Sequence, residues 1–208
     1  PNGQPSNLND EQYKIVRTPE FKRWFGDWEN DPENASKVVD ENGEPLAMYH
    51  GMPHKFEGEA FKIGYKKSNR LSNHDGIYFT ADRGRAEDYA KKDGNVTTVF
   101  LSIKSPYIEG NPPSEKGVEW FMKNFYKEDN SYYNEKLAQF KSNSNTSILS
   151  GRDKTDLAIV EGYDGKFDGS FKYGDTVIFK PNQAKLADGS NRTFDPEKEG
   201  LKESRNFD

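Results

Sequence analysis

Three side chains in this sequence are of types that could serve one site: His50 at the end of an apolar run, Tyr78 within "GIYFT", and Asp175 just before "TVIF". A second tyrosine, Tyr89, follows Tyr78 by eleven residues in "AEDYA". A histidine ending one strand, a tyrosine in a second and a carboxylate opening a third can be projected from a sheet domain into one cleft. Taken singly, each has a plainer role: tyrosine in a strand is commonly half-buried packing, and aspartate beside glycine is commonly a turn residue. Familiar alternatives lack their motifs. There is no G-x-G-x-x-G after a strand, no G-x-x-x-x-G-K-[ST] and no H-E-x-x-H, so Rossmann, P-loop and zincin readings lose their main support. Three histidines without any cysteine make poor material for zinc, and His54 and His74 fall in loop-like sequence where solvent exposure is expected. No metal is expected.

Local pattern indicates the elements that would hold these groups. In "RTPEFKRWFGDWEN", Thr18 can cap a helix and Pro19 can take its first position, while Phe21, Trp24, Phe25 and Trp28 recur at i, i+3, i+4 and i+7. Gly26 ends it. The stripe reads as core-facing rather than as an aromatic ligand platform. "SKVVDENGEPLAMYHG" gives two apolar runs around "ENGE", a hairpin signal whose second strand ends at Tyr49, His50 and Gly51. Residues 52–75 form a loop long enough to suspect function, although a solvated charged loop with Lys62, Lys66, Lys67 and Arg70 is the plainer reading.

"GIYFT" reads as strand, and Thr80 as the cap of a helix through "ADRGRAEDYAKK" with Ala86, Tyr89 and Ala90 on one face. "TTVFLSI" is a strand closed by "SPYIEGNPP". Val118, Phe121, Met122 and Phe125 mark an amphipathic helix, and Tyr133, Leu137 and Phe140 a weaker one. Beyond the loop "KSNSNTS" come a short run "LAIVEG", a glycine-rich turn region "YDGKFDGSFKYGD", and the strand "TVIF" followed by "KPNQAKLAD". From Gly189 the chain is polar without apolar periodicity, which predicts a mobile tail.

Composition bounds the function. The 208 residues fit one domain with appended segments, and with 32% hydrophobic residues the core must lean on 14 Phe, 11 Tyr and 3 Trp. A mean hydropathy of -1.07 predicts long stretches of surface. Net charge is -5 and the pI about 5.4, so a nucleic-acid partner is unsupported by bulk electrostatics. Absence of cysteine removes disulfides and thiolate catalysis. No apolar run approaches the ~20 residues of a membrane helix, and nothing at the start resembles a signal peptide, so a soluble chain with no membrane partner is expected. Pro1 without a preceding Met predicts excision from a longer protein.

The order "YHG", "GIYFTADRGRAEDYA", "GDTVIFKPNQAKLADG" resembles the catalytic domain of ADP-ribosyltransferases of the diphtheria-toxin and poly(ADP-ribose) polymerase type, the H-Y-E group. Within that group it is most similar to ADP-ribosyltransferase domains in polyvalent proteins of phages and mobile elements. Those domains often carry "FKxWFGDW…KVVDENGEPLVVYHG" at the front and "VVF.PNQIKSA" with "TFDP" at the back. The matching segments here are residues 21–28, 37–51, 177–186 and 193–196, and the resemblance spans roughly 17–196 apart from the middle.

What the resemblance implies is specific. His50 would bind a ribose hydroxyl of NAD on the adenosine side, and Gly51 would offer its backbone N–H and C=O to the nicotinamide carboxamide, an approach that a side chain would obstruct. Tyr78 and Tyr89 would hold the cationic nicotinamide ring between two faces, a contact worth roughly 0.5–2 kcal/mol. Asp175 falls on the catalytic acidic position. Breaking the nicotinamide–ribose bond generates an oxocarbenium-like centre, and the leaving group departs neutral without a general acid, so one carboxylate that orients the 2′-hydroxyl and steadies positive charge suffices. Three departures stand out. Asp175 is one methylene shorter than the usual Glu, and a displacement near 1 Å can cost on the order of a hundredfold in rate. Ala86 stands where many polymerase-type members have a carboxamide-binding Ser. Tyr173 stands two residues before Asp175 where arginine-modifying toxins have an acidic residue, which makes arginine a less favoured acceptor.

The expected fold is therefore α+β, an ADP-ribosyltransferase fold of two packed, mainly antiparallel sheets forming an NAD cleft, with an N-terminal helical segment and a helical insertion. Expected boundaries are 1–16 for an N-terminal extension, 17–188 for the domain with 112–150 inserted, and 189–208 for the tail. The implied activity is mono-ADP-ribosyl transfer from NAD to a macromolecular acceptor, a protein rather than nucleic acid, or to water, by a monomer in a bacterial or target-cell cytoplasm. The alternatives are a catalytically weak or silent NAD- or ADP-ribose-binding module, for which Asp175 in place of Glu is the chief support, and a purely structural interaction domain.

Overall fold

A computed structural model describes residues 5–53, 60–62, 76–108, 112–125, 131–143, 149, 151–168 and 174–202. His54, His74, Lys66, Lys67, Arg70 and Tyr173 lie outside them. The first element, α1 (Asp10–Ile15), is closed by a reciprocal cap: Asn9 Oδ1 accepts from the Gln12 N–H at 2.9 Å, and Gln12 Oε1 accepts from the Asn9 N–H at 3.2 Å. It occupies part of the expected extension, and Ile15 and Val16 behind it are buried. Helix α2 (Pro19–Phe25) starts as its sequence predicts, with Thr18 Oγ1 accepting from the Phe21 N–H. It stops at Gly26, whose φ of 104° a side chain would strain.

The aromatic stripe of α2 is core. Phe21 meets Phe25, Phe100 and Phe194 at ring-centroid distances of 5.0, 5.2 and 5.1 Å, and Trp24 and Trp28 are buried with it. Downstream, the expected hairpin contracts to a turn with one Val39–Pro45 bridge, because Pro45 has no N–H to extend a ladder. Only its second arm becomes a strand, β1 (Met48–Met52).

There follow β2 (Ile77–Phe79), α3 (Arg83–Ala90), β3 (Asn95–Leu101), β4 (Pro106–Ile108), α4 (Glu115–Phe125), α5 (Ser131–Asn143), α6 (Gly151–Val160), β5 (Gly165–Asp168), β6 (Asp175–Ile178) and β7 (Ala184–Leu186). The strands form two sheets in the orders β1-β3-β7 and β2-β6-β5-β4. Every pairing is antiparallel except β4 with β5. The fold is thus α+β with two mainly antiparallel sheets, and residues from both, including Met48, Val99 and Leu101 with Ile77, Phe79 and Ile178, share one core. Strand β3 is buried on both faces: Val99 and Leu101 enter this core while Phe100 enters the aromatic cluster of α2.

Parallel β4 and β5 require a long crossover. Helices α4, α5 and α6 lie in that connection, around a third core of Tyr107, Phe121, Phe140, Leu149, Leu157 and Ala158. Two of the three helices match the expected pattern, whereas α6 covers sequence read only as a short apolar run. Strands β4 and β5 likewise occupy segments read as turns. Among the described residues no helix is long and apolar enough to cross a membrane.

Residues 189–202 depart from the expected mobile tail. Phe194 and Leu201 are buried, and Asn191 ties them together, its Oδ1 accepting from the Phe194 N–H and its Nδ2 donating to the Leu201 carbonyl, both at 2.9 Å. Beneath them Lys185 donates Nζ to the Lys198 and Gly200 carbonyls. Burial pushes the Lys185 ammonium down to about 8, against the opposing pull of Asp195. Folded Lys185 therefore releases its proton before unfolded Lys185 does. The unfolded chain binds more protons between about pH 8 and 10.5, and stability gains up to ~1.4 kcal/mol per pH unit from this group in that window. Urea unfolding at pH 7.5 to 9.5 should show that rise in the wild type and a flatter profile in Lys185→Met.

Candidate active site

The two sheets meet at Tyr49 and Thr80. Each N–H donates to the other's carbonyl, at 2.8 and 3.0 Å, so the end of β2 is stitched to the free edge of β1. Strand pairing then fixes the neighbours. Tyr78 and Phe79 of β2 lie opposite Val177 and Thr176 of β6, whose first residue is Asp175. His50 and Gly51 follow Tyr49 on β1, paired with Thr97 and Val96. Helix α3 begins at Asp82, whose side chain accepts from the Arg85 N–H, while Thr80 Oγ1 accepts from the Asp82 N–H. The cap is thus Asp82, and Thr80 tightens the turn before it.

A cavity of about 360 Å³ opens at this junction. All six residues singled out from sequence line it: His50 and Gly51 from β1, Tyr78 from β2, Ala86 and Tyr89 from α3, and Asp175 from β6. Tyr78 is 37% and Tyr89 60% exposed, so both rings keep aromatic surface that the protein itself does not cover.

The histidine is preset. His50 Nδ1 lies 2.7 Å from the Tyr78 carbonyl oxygen, which can only accept, so Nδ1 carries the proton and the neutral ring keeps Nε2 as an acceptor. Burial pushes the His50 pKa below its ordinary value, partly offset by that same hydrogen bond. Phe61 and Phe79 pack on its ring at centroid distances of 5.0 and 5.3 Å, which fixes its orientation.

Gly51 has two duties. Along a strand, backbone groups two residues apart face the same edge, so Gly51 directs its N–H and C=O the way Tyr49 directs those that bond Thr80. They face the cavity side of β1. Perpendicular to the sheet, a Cβ on Gly51 would overlap the Ala86 carbonyl oxygen and lie 2.8 Å from the Ala86 carbonyl carbon. Close packing of α3 on β1 therefore needs this glycine in addition to any ligand.

Asp175 is not alone. Arg85 Nη2 sits 3.0 Å from Asp175 Oδ1, both side chains being about one-third exposed. The arginine escaped the sequence reading, although it stands four residues before Tyr89 and so on the same helical face. Lys166 also escaped it. This residue is fully buried on β5 opposite Val177, one strand further from Tyr78, with its ammonium 6.0 Å from the Tyr78 ring centroid. The glycine-dense sequence around it conceals the strand.

A family model described as ADP-ribosyltransferase in polyvalent proteins matches residues 40–194, which contain all nine residues lining the cavity. The chain belongs to that family. No curated protein and no solved structure matches it significantly.

Proposed function

We propose that this chain cleaves the nicotinamide–ribose bond of NAD and transfers ADP-ribose to a macromolecular acceptor, or to water when none is present. The observation that carries the reading is the convergence of His50, Tyr78, Tyr89 and Asp175 on one cavity in a chain of this family. Nicotinamide would lie against the exposed rings of Tyr78 and Tyr89, its carboxamide on the Gly51 backbone, with a ribose hydroxyl donating to His50 Nε2. The C1′–N bond breaks with its electron pair passing to nicotinamide, which leaves uncharged. Positive charge at C1′ is met by Asp175, and the acceptor's nucleophile bonds there as its proton passes to solvent. The proposal extends to a phage or mobile-element setting and a protein acceptor, both of which rest on the sequence resemblance alone.

Nicotinamide release from NAD, measured for wild type and Asp175→Ala, tests the reading. Failure of the wild type to release nicotinamide or to bind NAD would refute it. Mass spectrometry of lysate treated with labelled NAD would then identify the acceptor.

One observation favours a second reading, a silent NAD-binding module. Asp175 is shorter than the family's usual acidic residue and is engaged by Arg85. Calorimetry would show NAD binding without turnover, and Asp175→Glu would restore turnover; ordinary wild-type turnover eliminates this reading.

The state of His50 gives a pH signature. Its neutral form prevails at and above pH 7, and protonation below its lowered pKa removes the Nε2 acceptor. The KM for NAD should rise as pH falls from 7 to 5 while kcat changes less, and His50→Ala should show a raised KM without that slope.

A further inference from the structure

Asp175 carries two carboxylate oxygens, and the described residues engage only one of them. Oδ1 lies 3.0 Å from Arg85 Nη2, whereas Oδ2 has no hydrogen-bond partner among the described residues. Arg85 does not line the cavity that Asp175 lines, so its guanidinium meets the carboxylate from beside the wall rather than from within the site. The backbone at both ends of this contact is fixed. Asp175 opens β6 and precedes Thr176, which pairs with Phe79 of β2. From Phe79 the chain passes to Thr80, whose Oγ1 accepts from the Asp82 N–H at 3.1 Å, and Asp82 Oδ1 accepts from the Arg85 N–H at 3.2 Å. The ion pair closes this path into a ring that runs from β6 to β2, through the Thr80 turn and the first turn of α3, and back to β6.

A part-exposed aspartate without such a contact is shared among three staggered χ1 wells, and not all of them aim an oxygen at a bound ribose. Being one methylene shorter than glutamate, Asp175 has less reach with which to make good a wrong rotamer. The geometry points to Arg85 as the positioning residue of the active site: it anchors Oδ1 and so presents Oδ2 to the ribose 2′-hydroxyl and to the charge developing at C1′. This role rests on the proposed cleavage of NAD, and it falls to a residue that touches neither the substrate nor the reacting atoms. Bound NAD need not break the pair, since Oδ2 is the oxygen it meets. A guanidinium suits the task because it stays charged at any working pH and offers its N–H groups in a fixed plane. Its charge also opposes the charge developing at C1′. That repulsion is screened by solvent at a pair this exposed, whereas displacing the carboxylate by about 1 Å costs on the order of a hundredfold in rate, so the anchor outweighs it.

Steady-state nicotinamide release from NAD by Arg85→Met is the test. The released carboxylate still visits its productive rotamer for part of the time, so kcat should fall about tenfold with the KM for NAD unchanged. Arg85→Lys, which can still give one N–H to Oδ1, should recover most of the rate. Because Arg85 acts through Asp175, adding Arg85→Met to Asp175→Ala should cost less than about twofold more. Arg83→Met removes an equal charge from the same turn, where Arg83 pairs with Glu87 instead, and should stay within about twofold of wild type. A second readout needs no turnover: three-bond couplings to the Asp175 Cγ should report a single χ1 rotamer in the wild type and an average in Arg85→Met. The proposal falls if Arg85→Met is faster than wild type, which would make Arg85 a latch, or if its loss lies in KM alone. It falls equally if Arg85→Met slows Asp175→Ala as much as it slows wild type, if Arg83→Met matches it, or if the couplings do not change. A wild type that cleaves no NAD refutes the proposed function instead, and the couplings then still decide whether Arg85 orients the carboxylate.

Discussion

Asp175→Ala is expected to slow nicotinamide release about 10²- to 10³-fold, the range found when one preorganised group facing transition-state charge is removed. The carboxylate sits at the first residue of β6, opposite Asp168 of β5, so its backbone is fixed by sheet pairing rather than left to a loop. Charge at C1′ exists only as the bond breaks, so the contact that Asp175 makes is stronger in the transition state than in the ground state. Loss of it should therefore lower kcat and kcat/KM together, with NAD affinity nearly constant. Arg85 does not lock the carboxylate away. A pair this exposed is worth about 0–1 kcal/mol, little enough for a bound cationic ring or a ribose hydroxyl to displace it. Arg85→Ala should accordingly shift the urea midpoint by less than that equivalent. Single-turnover nicotinamide release decides the matter: a rate for Asp175→Ala within a few-fold of wild type removes Asp175 from the chemistry.

Part of the fold was legible because its signals are local. Helix α2 has a cap, a proline and a 3.6-residue stripe within one window, and each feature is satisfied in the fold. The site residues are legible for a different reason, since only their order along the chain links them, and "YHG", "GIYFT" and "GDTVIF" occur in the family's order. Elements whose stability comes from distant partners left no such trace. Strand β5 is a short segment with Lys166 at its centre, buried by the sheet around it rather than by any apolar alternation. Helix α6 buries Thr155 and Asp156 beside Leu157 and Ala158, so its inward face carries no hydrophobic stripe. Phe194 and Leu201 are isolated apolar residues in a polar stretch, and distant partners give them a place: the α2 aromatics for Phe194, the core shared by the two sheets for Leu201, and the Asn191 bonds for both. The α1 cap was readable, as asparagine with glutamine three residues on. Arg85 was readable too, once its spacing from Tyr89 is set beside the register of Asp175.

Gly51→Ala is expected to be the most damaging single-methyl change in the site, costing about 3 kcal/mol, the upper end for overpacking, because the clash is with backbone. A flexible side chain could swing aside from the new Cβ. The Ala86 carbonyl cannot, since it belongs to α3, and the helix must lift from β1 as a body. Gly94 makes the same contact further along: a Cβ there would overlap Met52 O and lie 2.5 Å from the Ala90 carbonyl carbon. The two glycines hold one interface, so their costs should not add. Once Gly51→Ala has raised α3, Gly94→Ala meets a helix already displaced, and the double variant should lose less stability than the sum of the singles by more than ~0.5 kcal/mol. Lifting α3 also carries Ala86, Tyr89 and Arg85 away from His50 and Asp175, so NAD affinity should fall in both single variants although neither substitution touches an ionisable group. Urea midpoints of the two singles and the double provide the cycle. Strict additivity would mean that α3 yields locally at each glycine, and the helix would then not be the rigid element that sets the distance between Tyr89 and the strand residues.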